Sequence, residues 1–300
     1  MDQGGIEAGE WKGDGGVRIR ALLVLVAGVA LWRLERRRPL RRTTERRADR
    51  NLRNLTIAAL SAVSLQTFER PLVQRLAQWV QRNRVGLVYR LPLPESLRAV
   101  VVFLLMDYTL FLWHILTHMV PFLWRMHIVH HIDRDLSLTT GLRFHAAELI
   151  TSVPWRALQI LLIGVSPARL AGWQTLTLLS VLFHHSNVRL PMSLERRLVW
   201  IVVTPRMHGI HHSIRRHETD SNWSSGLTLW DWLHGTLILD VPQEALTIGV
   251  PAYRSRRDIG LCAQLALPFT RQRPSWRYEN GTKPLRERSL RTIDHALALT

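Results

Sequence analysis

The chain has 300 residues, 47% of them hydrophobic, yet it carries 40 lysines and arginines against 23 acidic residues, a formal charge of +17 with a pI near 11.5. That pairing leaves two broad classes, a nucleic-acid binder or a membrane protein with basic cytoplasmic loops. The single cysteine, Cys262, excludes an internal disulfide framework and thiolate zinc sites.

In chain order, residues 1–17 form an acidic-leaning leader that reads as disordered, with Asp2, Glu7, Glu10 and Asp14 against Lys12. Residues 21–32 are apolar and close on "RLERRRPLRR". The stretch is short for a bilayer, but the leader and the missing small-residue cleavage site favour an anchor over a signal peptide. Arginines crowd residues 33–53. No zinc-finger or recognition-helix pattern accompanies them, so a lipid-facing cytoplasmic loop is favoured over a nucleic-acid arm. Residues 55–65 then return toward the opposite face. Residues 71–88 alternate apolar and basic positions at helical spacing and are expected to lie along the interface. Residues 97–113 are apolar apart from Arg98 and Asp107, and they cross back to deliver His114 and His118 of "WHILTH" to the cytoplasmic side.

A polar segment follows with His127, His130 and His131 in "RMHIVHH". Residues 146–165 and 170–183 read as a hairpin broken at "GVSPA", which returns His184 and His185 of "FHHSN" to the same level. "RMHGIHH" then repeats the second spacing with His208, His211 and His212. Beyond Gln272 the chain is polar and arginine-rich, and it reads as a weakly ordered tail. Trp32, Trp113, Trp124, Trp155 and Trp173 sit near expected span ends, as in an interfacial aromatic belt.

The arginine asymmetry puts the basic side in the cytoplasm, so every histidine cluster reaches one face. The expected fold is all-α: an integral, multi-pass membrane bundle of about four to five spans with a cytoplasmic histidine-rich helical cap. Its divisions are the leader 1–17, an anchor, basic loop and amphipathic region 18–95, the histidine-bearing domain 96–240, and a cytoplasmic tail 241–300.

Residues three and four apart on a helix share a face, so His-x-x-x-His presents two imidazoles and His-x-x-His-His three. Eight of the 14 histidines lie in these patterns, and the adjacent His184 and His185 bring the clustered ones to ten. A single metal takes about four to six ligands, so this supply suits two ions. Imidazole serves zinc, copper, iron and nickel alike. The His-Glu-x-x-His motif of zinc hydrolases is absent, as are a nucleophile elbow, a phosphate-binding loop and a dinucleotide fingerprint. A zinc-dependent membrane hydrolase would therefore lack its carboxylate base. A metal transporter would place its ionisable residues near mid-membrane, whereas these clusters sit at span ends and in polar segments.

From about residue 31 to about residue 253, the chain resembles the membrane fatty acid hydroxylase and sterol desaturase superfamily. The likeness is carried by "LERRRPLRR", "DYTLFLWHILTH", "LWRMHIVHHID", "TTGLRFHAAE", "FHHSNVRLP", "TPRMHGIHHSI" and "ETDSNWSSGLTLWDWLHGT". It implies a non-haem centre of two iron ions that uses O2 as co-substrate to oxidise C–H bonds of a lipid or sterol-like substrate. Hydroxylation is the leading reading and desaturation the alternative. Electrons would come from a separate ferredoxin, cytochrome or reductase, and nucleic acid is not an expected partner. The ligands so implied are His114, His118, His127, His130, His131, His145, His185, His208, His211 and His212. No further catalytic residue is expected. His145 is included although Ala146 stands where relatives carry proline. Asp107, His184, Glu148 and Asn222 are candidates to orient the ligating rings, since such rings usually give their second N–H to a carboxylate or carbonyl. Asp133 and Asp220 are further candidates, and Asp231 is expected to brace the helix after the last box. His234 stands where many relatives have phenylalanine and reads as structural. His217 and His295 read as surface residues.

Overall fold

A computed structural model describes residues 14–286. The first thirteen residues of the expected leader, and the tail from residue 287 with His295, lie outside the described residues. Among those described, the regular structure is helical, with isolated β-bridges only.

Helix α1 (Asp14–Arg37) ends on Arg36 and Arg37, whose charges meet the negative end of the helix dipole. It packs along α8 while Leu22, Leu23, Leu25 and Val26 stay exposed. Helix α2 (Arg47–Ser64) continues through a π-helical turn (Leu65–Glu69) into α3 (Arg70–Asn83). The sequence reading divided this stretch into a returning segment and an interfacial one, but the helix runs on. Pro71 lacks an N–H and would clash with the carbonyl one turn back, and the wider π register absorbs both. The face of α3 bearing Val73, Ala77 and Val80 is buried against other helices.

After the short α4 (Leu87–Arg90), α5 (Glu95–Met119) stops just before Pro121, which opens α6 (Pro121–His131). Helices α7 (Ala146–Ile163) and α8 (Pro167–His185) are joined by the expected turn, though each packs mainly on other helices, α7 on α2 and α3 and α8 on α1 and α10. The turn depends on glycine: Gly164 takes φ 91° at the end of α7, and a Cβ on Gly86 would lie 2.3 Å from the Gly164 nitrogen. Shorter helices follow: α9 (Met192–Leu198), α10 (Pro205–His211), α11 (Arg216–Thr219), α12 (Leu229–Leu233) and α13 (Leu261–Ala266).

One apolar cluster joins α3, α4, α5, α7 and α8 through Val80, Val88, Met106, Ile160 and Trp173. A second joins α2 and α6 to the C-terminal stretch through Ile57, Ile128, Val129, Tyr253 and Leu267. Helices α5 and α7 are each long and apolar enough to cross a membrane, with 22% of either apolar window buried. Most of the other residues in these windows are only partly covered by protein.

Two stretches behave differently from their composition. Arg41 and Arg50 of the basic loop turn inward instead of facing lipid. The Arg50 guanidinium makes a bidentate pair with Asp133 at 2.7 and 2.8 Å, and Arg41 donates to the Pro205 carbonyl at 3.2 Å. The stretch after Gln272, expected to be weakly ordered, is anchored as far as residue 286. Trp276 stacks on Trp124, Arg273 Nη1 donates to the Ala252 carbonyl at 2.7 Å, and Arg286 grips Glu218. A few aromatic and arginine side chains fasten a segment whose average polarity suggested otherwise.

Candidate metal centre

Four helices deliver the imidazoles. His114 and His118 lie one turn apart near the end of α5, and α6 carries His127, His130 and His131 in its last two turns. Helix α8 ends on His184 and His185, while α10 carries His208 and His211 with His212 at its C-cap. All those on α6, α8 and α10 are buried.

Their ring nitrogens gather into two sets, each with one ligand atom per residue within 4.8 Å of the others: His114, His118, His127 and His131, and His130, His185, His208 and His212. A third set, His131, His211 and His212, overlaps both. The His211 ring lies 4.5 Å from that of His114 and 4.9 Å from that of His118, centroid to centroid. The repeated His-x-x-His-His now has a geometric meaning. Each box helix gives its i, i+4 pair to one set and turns its middle histidine to the other.

Hydrogen bonds fix which nitrogen faces inward. His114 Nδ1 donates to the Trp223 carbonyl at 2.7 Å, His211 Nδ1 to the Ser221 carbonyl at 2.9 Å, and His185 Nδ1 to the Val181 carbonyl at 2.9 Å. His127 Nδ1 meets Glu148 Oε1 at 2.6 Å. In each ring the proton sits on Nδ1 and the Nε2 lone pair is left for the cluster. Nε2 of His127, His131 and His211, and both nitrogens of His118, are buried with no protein partner. In the second set, His185 Nε2 lies 3.0 Å from His130 Nε2 and 2.9 Å from His208 Nε2, and His212 Nε2 lies 3.1 Å from His208 Nε2.

Burial and the neighbouring imidazoles hold His130, His131, His208 and His212 well below the usual histidine range, and burial pushes His211 down to about 3. These rings are neutral at physiological pH, the form that binds metal. Converging lone pairs with few protons between them leave buried acceptors unsatisfied, a costly arrangement that a Lewis acid resolves. Nitrogens about 3 Å apart also fit metal–nitrogen bonds of about 2.1 Å. The residues present therefore fit a pair of imidazole-bound metals.

Nine of the ten expected ligands are brought together; His145 is not. Its Nδ1 accepts the Ala147 N–H at 3.1 Å as the N-cap of α7, and its Nε2 faces the Leu265 carbonyl at 3.1 Å. Both nitrogens are occupied. His184 packs on His208 at 4.1 Å between centroids, outside the three sets.

Among the expected orienting residues, Glu148 is in direct contact with a ring. Asp107 acts elsewhere: its Oδ2 accepts the Leu227 N–H at 3.0 Å and the Trp230 indole N–H at 2.8 Å. A Cβ on Gly226 would fall 2.2 Å from Asp107 Oδ1, so glycine permits that approach. Asp231 accepts the backbone N–H groups of Trp223 and Ser224 at 2.8 and 2.9 Å. The two carboxylates pin the segment whose Trp223 carbonyl orients His114. Asn222, at φ 50°, ties the Met207 carbonyl to the backbone of Ile238. Asp133 lies immediately beyond the second box and binds Arg50, Asn54 and Thr140, with Arg143 at 3.4 Å. Burial pushes that carboxyl up, but Arg50 and Arg143 together bring it below the usual carboxylate range. Asp220 pairs with Arg216 at 3.1 Å. His234 packs on Tyr108 and Phe111, and His217 is exposed.

The sequence reading missed the orienting carbonyls of Trp223, Ser221 and Val181, because every residue type carries one. It also missed the aromatic packing of the rings. Phe144 stacks on His130 at 4.5 Å and 7°, and Trp124 and Trp223 lie 4.8 and 4.7 Å from His118.

Residues 99–236 match the family model for fatty acid hydroxylase. The ornithine lipid hydroxylase OlsE of Rhizobium tropici is 30% identical over 184 residues, 60% of this chain and 52% of that protein. Human alkylglycerol monooxygenase is 28% identical over 149 residues, covering 50% of this chain and 32% of the relative. Human cholesterol 25-hydroxylase is 27% identical over 137 residues, 45% of this chain and 48% of the relative. The chain spans about half the length, or less, of these curated relatives. No solved structure matches it.

Proposed function

We propose that the chain, whose residues 99–236 match the fatty acid hydroxylase model, is an integral membrane oxidoreductase that hydroxylates a lipid or sterol-like substrate. The observation that carries this reading is the gathering of nine buried or half-buried imidazoles, eight of them in two adjoining sets and His211 against a member of each, with no carboxylate among them. The relatives, by name, are hydroxylases and a monooxygenase acting on ornithine lipid, alkylglycerol and cholesterol.

In this reading His114, His118, His127, His131 and His211 hold one iron, and His130, His185, His208 and His212 the other. Iron so bound supplies the activation of O2 against an alkyl C–H bond. Overall, R–H, O2, two electrons and two protons give R–OH and water. The chain's own residues do the rest. Glu148 and the Trp223, Ser221 and Val181 carbonyls hold four rings in the ligating tautomer. Asp231 and Asp107 keep the Trp223 segment in place. Burial excludes bulk water, which would quench a reactive oxidant. Helices α5 and α7 cross the membrane, with α1 and α8 beside them, and the centre sits on the cytoplasmic side next to lipid.

Lipid profiling of cells with and without the gene, grown under isotopically labelled oxygen gas, tests the reading. A lipid that gains one labelled hydroxyl only when the gene is present supports hydroxylation. A product with a new double bond and no label would indicate desaturation, and no oxidised lipid at all would contradict the proposal.

A further inference from the structure

A cavity of about 650 Å3 lies where α11 faces the C-terminal stretch, outside the histidine cluster. Arg215, Arg216, Arg277 and Lys283 line it around Trp276, and Asp220 is the acidic side chain on its wall. The local charge is not cancelled. Asp220 pairs with Arg216 at 3.1 Å, and the buried Glu218 is shared between Arg215 at 3.3 Å and Arg286 at 2.8 Å. Five cations thus meet two carboxylates.

The wall of this cleft also touches the centre. Trp276 stacks on Trp124 with centroids 5.5 Å apart and planes 26° from parallel. Trp124 in turn lies 4.8 Å from the ring of His118 and 5.6 Å from that of His131. Its indole N–H donates to Ser275 Oγ at 3.0 Å, which locks the pair in register. Two aromatic contacts therefore connect a cationic surface to two of the metal-binding imidazoles.

We propose that this cleft docks a small acidic one-electron carrier protein, and that Trp276 and Trp124 form the path by which its electrons reach the metal pair. The proposal rests on the di-iron reading above, whose reaction consumes two electrons that the chain does not itself store. Each carrier gives up one electron and is oxidised by one unit. The metal pair gains one, and two such events with two protons from water complete the reduction. Tunnelling falls off exponentially with the gap between groups, so a stacked indole pair in contact with the ligands is a favourable route. Neither indole changes covalently. Complementary charge steers such encounters and makes them sensitive to salt. An anionic bilayer would also be drawn to these cations. A flat lipid surface does not fit a recessed cleft, however, and has no use for an indole pair leading inward.

The test uses the iron-loaded, full-length protein in detergent, with a reduced two-iron ferredoxin as carrier and dithionite as a small reductant. Reversing three charges (Arg216→Glu, Arg277→Glu and Lys283→Glu) should raise the Kd for ferredoxin by about tenfold or more and flatten its salt dependence. Iron content and reduction by dithionite should not change. Trp276→Leu should leave Kd near the wild-type value but slow iron reduction at saturating ferredoxin by about tenfold, and Trp276→Phe should restore most of the rate. The proposal is overturned if the wild type shows no salt-sensitive ferredoxin binding, or if neither set of changes alters binding or reduction. It is equally overturned if charge reversal abolishes binding to phosphatidylserine vesicles while ferredoxin binding persists. Absence of a dithionite-reducible iron signal in the wild type would instead overturn the di-iron reading itself.

Discussion

His118 is the histidine of the cluster with both ring nitrogens buried and without a protein partner. Nothing but a metal would hold that ring in a defined tautomer, and no spare imidazole stands behind it. His118→Ala should therefore abolish lipid hydroxylation and lower bound iron, read by product analysis and elemental analysis of the same preparation. Full activity with full metal content would remove His118 from the site. His145 is the contrasting case, because both its nitrogens serve the backbone at the start of α7. His145→Ala should keep the iron and lower stability by about 0.5–2 kcal/mol, as the loss of an N-cap does. A thermal melt with a parallel metal assay separates the outcomes, and a fall in iron with unchanged stability would make His145 a ligand.

At the scale of elements, the second histidine box depends on a buried polar hub. Asp133 follows α6 and is held by Arg50 of α2 and by Arg143, with all three side chains at most 2% exposed. Burial lowers the Arg143 guanidinium to about 10, still charged at neutral pH, so removing the carboxylate strands two cations. Asp133→Ala should destabilise the protein by about 3–5 kcal/mol, measured by thermal unfolding in detergent, and a loss below about 1 kcal/mol would contradict the hub. Much at this scale was legible in the sequence. The break between α7 and α8, the apolar α5 and the face-sharing of each histidine box follow from periodicity and helix breakers. The continuous helix from Arg47 to Asn83 was not legible, because a proline reads locally as a boundary and the π-turn that absorbs it leaves no compositional mark. The inward turn of Arg41 and Arg50 was hidden too. Their partners are the Pro205 carbonyl and Asp133, the nearer of them 83 positions away in sequence. The N-cap role of His145 was hidden as well, because its partners are the Ala147 N–H and the distant Leu265 carbonyl, and every residue type carries such groups.

For the whole molecule, the proposed function requires the histidine cluster and the basic stretch to share one side of a membrane. Reporter tags near Arg42 and after Thr300 should both report the cytoplasm, and a tag at Ser166, in the turn between α7 and α8, the opposite side. A cytoplasmic signal at Ser166 would mean that α7 does not span. The measurement that bears most directly on the central claim is metal stoichiometry. Protein purified from iron-replete cells should carry close to two metal ions per chain, with iron predominating and any zinc counted in the same total, since imidazole accepts both. A total that stays at one ion per chain under every metal supply would contradict the division of the histidines into two sites, and the proposed oxygen chemistry with it.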